Sequence, residues 1–233
     1  MCGRYAQARA DDELVDQFDV KVAVGAGLEP SWNVAPGRGV RVVLERAEHR
    51  QVVRQLRTVT WGLVPSWARE PSTGRRMINA RAETITEKPA FRAAAARRRA
   101  IVPMDGYFEW EPTPEGKRPW YLTGGDDTSL AAAGLYELWA DPSGEVDRNH
   151  RWLWSMAIVT TRAADELGHV HDRAPLLLPR ALWDRWLDPG LTDTAEIAGL
   201  VATVPEPRLR PWRVSPEVGS VRNDGPELVR AVA

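Results

Sequence analysis

The chain has 233 residues, 43% hydrophobic and 27% charged, with a formal net charge of −1. That length supports one well-buried core, so a single domain over residues 1–233 is expected. The balance of charge excludes a global basic footprint, no apolar run approaches the roughly 20 residues of a membrane span, and a lone cysteine excludes an internal disulfide. A cytoplasmic protein with no membrane association is the expectation.

The chain opens Met1-Cys2-Gly3-Arg4-Tyr5, and Cys2 is its one cysteine. A small residue at position 2 lets Met1 be removed, which leaves an α-amine and a thiol on adjacent carbons. The α-amine has a reference pKa of about 8, against about 10.4 for lysine, so far more of it is neutral and nucleophilic at pH 7. Such a pair can condense with an aldehyde to an imine and then close a thiazolidine ring. A chance cysteine at an unimportant terminus is the alternative.

Residues 10–20 read as a short amphipathic helix with an acidic first turn. Trp32-Asn33-Val34-Ala35-Pro36-Gly37 reads as loop, and strands follow at about 40–45 and 51–61. Trp67 lies on a turn in Trp61-Gly62-Leu63-Val64-Pro65-Ser66-Trp67-Ala68, as an exposed wedge or a core anchor. Residues 82–98 look helical through their alanines and arginines. Strands are expected at Ile101-Val102-Pro103, Tyr107–Trp110, Trp120–Leu122, Leu130–Trp139 and Trp152–Thr161, with turns at Gly124–Asp127 and Asp141–Gly144. Pro179 suits a first helical position before Arg180–Leu187, and Asp193, with Glu196 three residues on, suits the cap of a helix over 193–202. The tail from Pro211 returns to extended structure. The fold class is therefore α+β, a mainly antiparallel, barrel-like β core with flanking short helices.

Of the 31 basic residues only Lys21, Lys88 and Lys117 are lysine, and the clusters Arg75-Arg76, Arg81 and Arg97-Arg98-Arg99 either line a basic groove or form a solvated face. Eleven tryptophans against three phenylalanines and four tyrosines supply core and one or two stacking surfaces for bases.

Several residues have chemistry at hand. Glu109 sits between Phe108 and Trp110; on a strand it shares a face with Tyr107 and Glu111, where a carboxylate either is exposed or has a raised pKa suited to acid–base work. His169-Val170-His171-Asp172-Arg173 offers histidines at i, i+2 without further ligands, so no metal is expected, and His171 is the proton-shuttle candidate, oriented by Asp172 or Arg173. Asn79 either caps a helix or holds a polar ligand, and Arg81 can grip an anion with its planar fork.

Taken in order, Met-Cys-Gly-Arg-Tyr, Trp61-Gly62-Leu63-Val64-Pro65, Asn79-Ala80-Arg81-Ala82-Glu83-Thr84, Gly106-Tyr107-Phe108-Glu109-Trp110, His171-Asp172-Arg173-Ala174-Pro175 and Val221-Arg222-Asn223-Asp224 resemble the SRAP family. These SOS-response-associated peptidase-like proteins crosslink to abasic DNA. The resemblance implies a monomer without cofactor that binds single-stranded DNA containing abasic sites, is nucleoid-associated when bound, and captures the ring-opened aldehyde as a thiazolidine through Cys2. It implies active-site roles for Asn79, Glu109 and His171, phosphate contacts for Arg4 and Arg81, and base contact for Trp67. The family commonly has methionine where Ala174 stands and an aromatic where Ala68 stands.

Competing classes are a terminal-cysteine amidotransferase, a plain peptidase using Cys2, Glu109 and His171, and a non-catalytic single-strand-binding module. The first expects an asparagine-glycine oxyanion segment, and the chain contains no Asn-Gly pair.

Overall fold

The computed structural model describes residues 2–48, 51–125, 128–140, 152–163 and 170–232. In chain order these form β1 (Tyr5–Gln7), α1 (Asp11–Gln17), β2 (Val22–Val24), β3 (Ser31–Val34), β4 (Gly39–Glu48), β5 (Gln51–Trp61), β6 (Asn79–Arg81) and α2 (Arg92–Arg97). There follow β7 (Arg99–Met104), β8 (Gly106–Thr113), β9 (Gly116–Thr123), β10 (Leu130–Ala140), β11 (Trp152–Arg162), β12 (Arg173–Pro175), α3 (Trp183–Leu187), α4 (Thr194–Ala202) and β13 (Arg210–Arg213).

The long strands run in the order β11-β10-β7-β4-β5, and β5 returns in parallel to β11 through Thr60↔Ser155 and Trp61↔Met156. That last pairing closes the sheet on itself, which removes its open edges. Alternation divides the residues of these strands between two faces. Val40, Val42, Leu44, Val59, Trp61, Ala100, Val102, Met104, Ala132, Tyr136, Met156 and Ile158 form one buried cluster inside the ring. Val43, Leu56, Ile101, Ala131, Ala133, Leu135, Ala157 and Val159 face outward against Leu14, Phe18, Ala94, Ala95, Trp183, Trp186 and Ile197 of the helices. Large side chains such as Trp61, Tyr136, Met104 and Met156 fill the interior together with the small Ala100 and Ala132. The architecture is the α+β, mainly antiparallel, barrel-like core expected from the sequence.

A second sheet, β13-β9-β8-β1-β3, is antiparallel and lays the start of the chain on β8 through Tyr5↔Tyr107 and Ala6↔Gly106. Tyr5, Tyr107 and Cys2 join the interior cluster at one end of the ring. At the other end Trp154 stacks on Tyr136, with the Arg57 guanidinium 4.0 Å from its ring centroid.

Trp32, Asn33 and Val34 belong to a strand, not a loop, because their partner is the distant β1 (Tyr5↔Val34) and four residues give no sequence period of their own. The helix expected over 82–98 is only a 3-10 turn at Ala82–Thr84 followed by α2, since Pro89 has no N–H to donate and disfavours the helical conformation of Lys88. Helix α1 stops at Gln17, with Phe18 as its C-terminal cap and Asp19 at φ 54° following. Pro179 precedes a 3-10 turn, Arg180–Leu182, rather than opening the helix. Asp193 does cap α4, accepting from the Ala195 and Glu196 N–H groups at 2.7 and 3.0 Å, whereas the Glu196 carboxylate pairs with Arg185 at 2.6 Å. Of the arginine triplet, Arg99 is neither solvated nor in a groove. It is buried, donating to the carbonyls of Trp186, Ala95 and Asp188, each at 2.6 Å. Residues 126–127 and 141–144 of the expected turns lie outside the described residues, as does His169.

Candidate active site

The antiparallel register of β1 on β8 pairs Tyr5 with Tyr107, and the Arg4 carbonyl accepts from the Phe108 N–H at 2.9 Å. Continuing that register toward the start of the chain carries Cys2 and Gly3 alongside Glu109. Gly106, the partner of Ala6 in that register, lets β9 pack close, since a Cβ there would collide with the Tyr121 ring. Gly62, at φ 131°, likewise turns the chain after Trp61 against the Gly74 backbone, where a Cβ would lie 2.8 Å from the Gly74 carbonyl oxygen.

Cys2 is fully buried. Burial pushes its thiol well above the ordinary range and the Glu109 charge pushes it further, opposed in part by a backbone hydrogen bond from Arg4. Asn79, placed by the parallel pairing of β6 with β11 (Asn79↔Ile158), donates from Nδ2 to the Cys2 carbonyl at 2.8 Å. Its Oδ1 is buried without a partner among the described residues. Asn79 is thus a strand residue gripping the start of the chain, not a helix cap.

Glu109 lies on β8 opposite Trp120, with 5% of its surface exposed. Removal from water raises its carboxyl from 4.5 to about 7, and the charge of Asp172 adds to the rise. A group poised there changes protonation near neutrality and can both accept and return a proton. Because the thiol is held far above it, ionisation of Cys2 ahead of reaction is unfavourable. Glu109 is suited instead to taking the proton as a sulfur–carbon bond forms.

His171 precedes β12 and is half-buried, and burial holds its pKa below the ordinary value. Its Nδ1 accepts from the Arg173 N–H at 3.0 Å and lies 2.9 Å from Asp172 Oδ1. The neutral ring therefore carries its hydrogen on Nε2, while a protonated Nδ1 would find an acceptor in Asp172. Arg173 is fixed in turn by a two-pronged pair with Glu83, at 2.6 and 3.0 Å, and by donation to the Thr160 carbonyl at 2.5 Å. That pair holds the Glu83 carboxyl below its usual range and joins the segment of Asn79 to the segment of His171. Sequence reading named Arg173 only as a local orienter and missed Glu83, although both lie in quoted motifs.

Cys2, Asn79 and Glu109 are therefore brought together, and the Asp172 charge reaching Glu109 puts the His171 segment beside them. The flanking residues differ. Arg4 is half-buried, donating from Nη1 to Asn33 Oδ1 at 2.7 Å and to the Val218 carbonyl at 2.8 Å. Arg81 is exposed on β6, and Trp67 is 62% exposed, a surface wedge rather than a core anchor. Ala68 is buried and accepts the Trp139 indole N–H at 2.7 Å. A cleft of about 510 Å³ adjoins Tyr107, with Glu83, Arg162 and Ala174 on its wall. Alanine at 174 leaves that wall wider than the longer methionine would.

A family model described as SOS response associated peptidase (SRAP) matches residues 1–221. The chain is 33% identical to abasic site processing protein YoqW of Bacillus subtilis (strain 168) over 233 residues, covering 99% of this chain and all of that one. It is 31% identical to abasic site processing protein YedK of Escherichia coli (strain K12) over 238 residues, covering all of both. A crystal structure of a protein from Bacteroides thetaiotaomicron superposes with TM-score 0.82 at 24% identity over the whole of both chains, a likeness of fold. A crystal structure of a phage-related protein from Bordetella bronchiseptica gives TM-score 0.65 at 30% identity, covering 91% of this chain and 94% of that one.

Proposed function

Because the chain belongs to the SOS response associated peptidase (SRAP) family, we propose that it captures abasic sites in single-stranded DNA by a covalent bond through Cys2. The observation that carries this reading is the pairing of a buried Cys2, its carbonyl held by Asn79, with a buried carboxyl raised to about 7.

Release of Met1 by hydrolysis exposes the Cys2 amine, and Glu109 is the base for the attacking water. The ring-opened abasic sugar presents an aldehyde. Its carbonyl carbon takes the amine nitrogen, water leaves, and an imine remains. The thiol sulfur then bonds the imine carbon, the C=N electron pair passes to nitrogen, and nitrogen gains the proton that sulfur loses, by way of Glu109. One water is released and nothing is oxidised or reduced. His171, with its hydrogen on Nε2, moves protons at the sugar oxygens during ring opening, a task for a neutral donor at pH 7. Asn79 Oδ1 accepts from a sugar hydroxyl without adding charge near phosphate.

Arg4 and Arg81 contact phosphates and Trp67 stacks on a base. An abasic site has no base to read, so sequence preference is low. The protein acts as a monomer, one domain over residues 1–233. Protein freed of Met1, mixed with a single-stranded oligonucleotide carrying one abasic site, should yield a band that survives denaturant on a gel. Intact DNA should not yield one, and Cys2→Ala should lose it. An equally stable band from Cys2→Ala would overturn the reading.

A further inference from the structure

Arg4 is held differently from the half-buried Arg54 and Arg98. Arg54 meets the Glu45 and Asp184 carboxylates, each at 2.6 Å, and Arg98 meets Glu137 at 2.8 Å. Arg4 makes no ion pair among the described residues. Its Nη1 is fixed by two neutral acceptors, Asn33 Oδ1 and the Val218 carbonyl. Its Nε is buried without a partner among the described residues, and the guanidinium carbon lies 5.7 Å from the Trp110 ring centroid. Buried Arg99 meets a carbonyl with each of its three nitrogens, whereas both bonds of Arg4 come from Nη1, which leaves donors and an unpaired charge to offer an incoming anion.

The acceptor is itself tied down. Asn33 is 4% exposed, and its Nδ2 donates to the carbonyls of Asn223 at 2.7 Å, Ser220 at 3.0 Å and Val218 at 3.3 Å. Asp224 closes the same turn, accepting from the Ser31 hydroxyl and the Trp32 N–H, both at 2.7 Å. One amide therefore orients Arg4 with its oxygen and anchors itself with its nitrogen.

We propose that Asn33 is a positioning residue that aims Arg4 at a phosphate of the bound strand while leaving the arginine's charge uncompensated. This rests on the DNA-capturing reading above. A carboxylate at position 33 would fit the same space but satisfy Arg4 internally, and would face three carbonyls in place of donating to them. The neutrality of the side chain is thus part of the device.

The test is the salt dependence of non-covalent binding to a single-stranded oligonucleotide carrying a tetrahydrofuran abasic analogue, which has no aldehyde to crosslink. Each phosphate contact on a single strand contributes about 0.7 log units of affinity per log unit of salt. Arg4→Gln should flatten the slope by about that amount, Asn33→Asp should flatten it equally, and the double variant should go no further. Asp224→Asn, which loosens the same turn without touching Arg4, should lower the melting temperature and leave the slope unaltered. Should Asn33→Asp not fold, Asn33→Ser takes its place with the same expectation. An unchanged slope in the position-33 variant beside a flattened one in Arg4→Gln overturns the positioning role alone. Equal flattening in Asp224→Asn would assign the effect to general loosening and also overturn it. Absence of salt-dependent binding by the unaltered protein would overturn both readings.

Discussion

Glu109→Gln should make the protein more stable at alkaline pH while removing its chemistry. The Glu109 carboxyl is raised by burial from 4.5 to about 7. At about 1.36 kcal/mol per pH unit, that difference amounts to about 3 kcal/mol. Below the ordinary value, folded and unfolded chains both hold the proton and Glu109 is neutral to stability. Between the ordinary and the raised value the unfolded chain loses its proton first, so the folded state is progressively disfavoured until pH passes the raised value. Glutamine keeps the shape and never ionises. Stability of Glu109→Gln relative to the parent should therefore rise by about 3 kcal/mol between pH 4.5 and pH 8, or about 6–12 °C in melting temperature for a chain of this size. Urea unfolding of both proteins, in the same N-terminal form, at the two pH values measures this. Parallel profiles, with the difference unchanged to about 1 kcal/mol, would refute a buried carboxyl that titrates near neutrality.

His171→Ala should slow adduct formation by about 10²–10⁴-fold, read by quenched-flow gels, while affinity for the tetrahydrofuran analogue stays within about twofold. Trp67→Ala should weaken that affinity by about 1–3 kcal/mol with no change in melting temperature, because the ring is 62% exposed. Gly106→Ala should destabilise the fold by about 1–3 kcal/mol, since its methyl meets the Tyr121 ring and the Leu122 carbonyl oxygen, and thermal melting reads the loss.

The long strands were legible because Leu130–Trp139 and Trp152–Thr161 are near-continuous apolar runs bounded by turn signals, as strands buried on both faces are. The side chains that carry chemistry were legible through order rather than through any single signal. Neither Cys2, Asn79, Glu109 nor His171 decides anything alone. Closure of the barrel was not legible in detail, because the parallel contact of Trp61 with Met156 joins strands remote in sequence. Arg99 reads as one of three surface charges, and only the carbonyls of Trp186, Ala95 and Asp188, two of them brought from far along the chain, show why it is inside. Asn33 escaped for the same reason. Its partners Arg4, Ser220 and Asn223 meet it only after β1 and β3 pair. Glu83 escaped because a glutamate after a short strand looks like any exposed helix-start acid until Arg173 is placed against it.

The central claim is covalent capture through the amine and thiol of Cys2. Intact-mass measurement tests it most directly, on protein freed of Met1, incubated with a single-stranded oligonucleotide carrying one abasic site and then digested with nuclease. The account predicts an added mass equal to the remaining sugar-phosphate fragment less one water, mapped by peptide sequencing to Cys2 and absent from Cys2→Ala. An adduct mapped to any lysine, or an unmodified protein that nonetheless binds the strand, would contradict it.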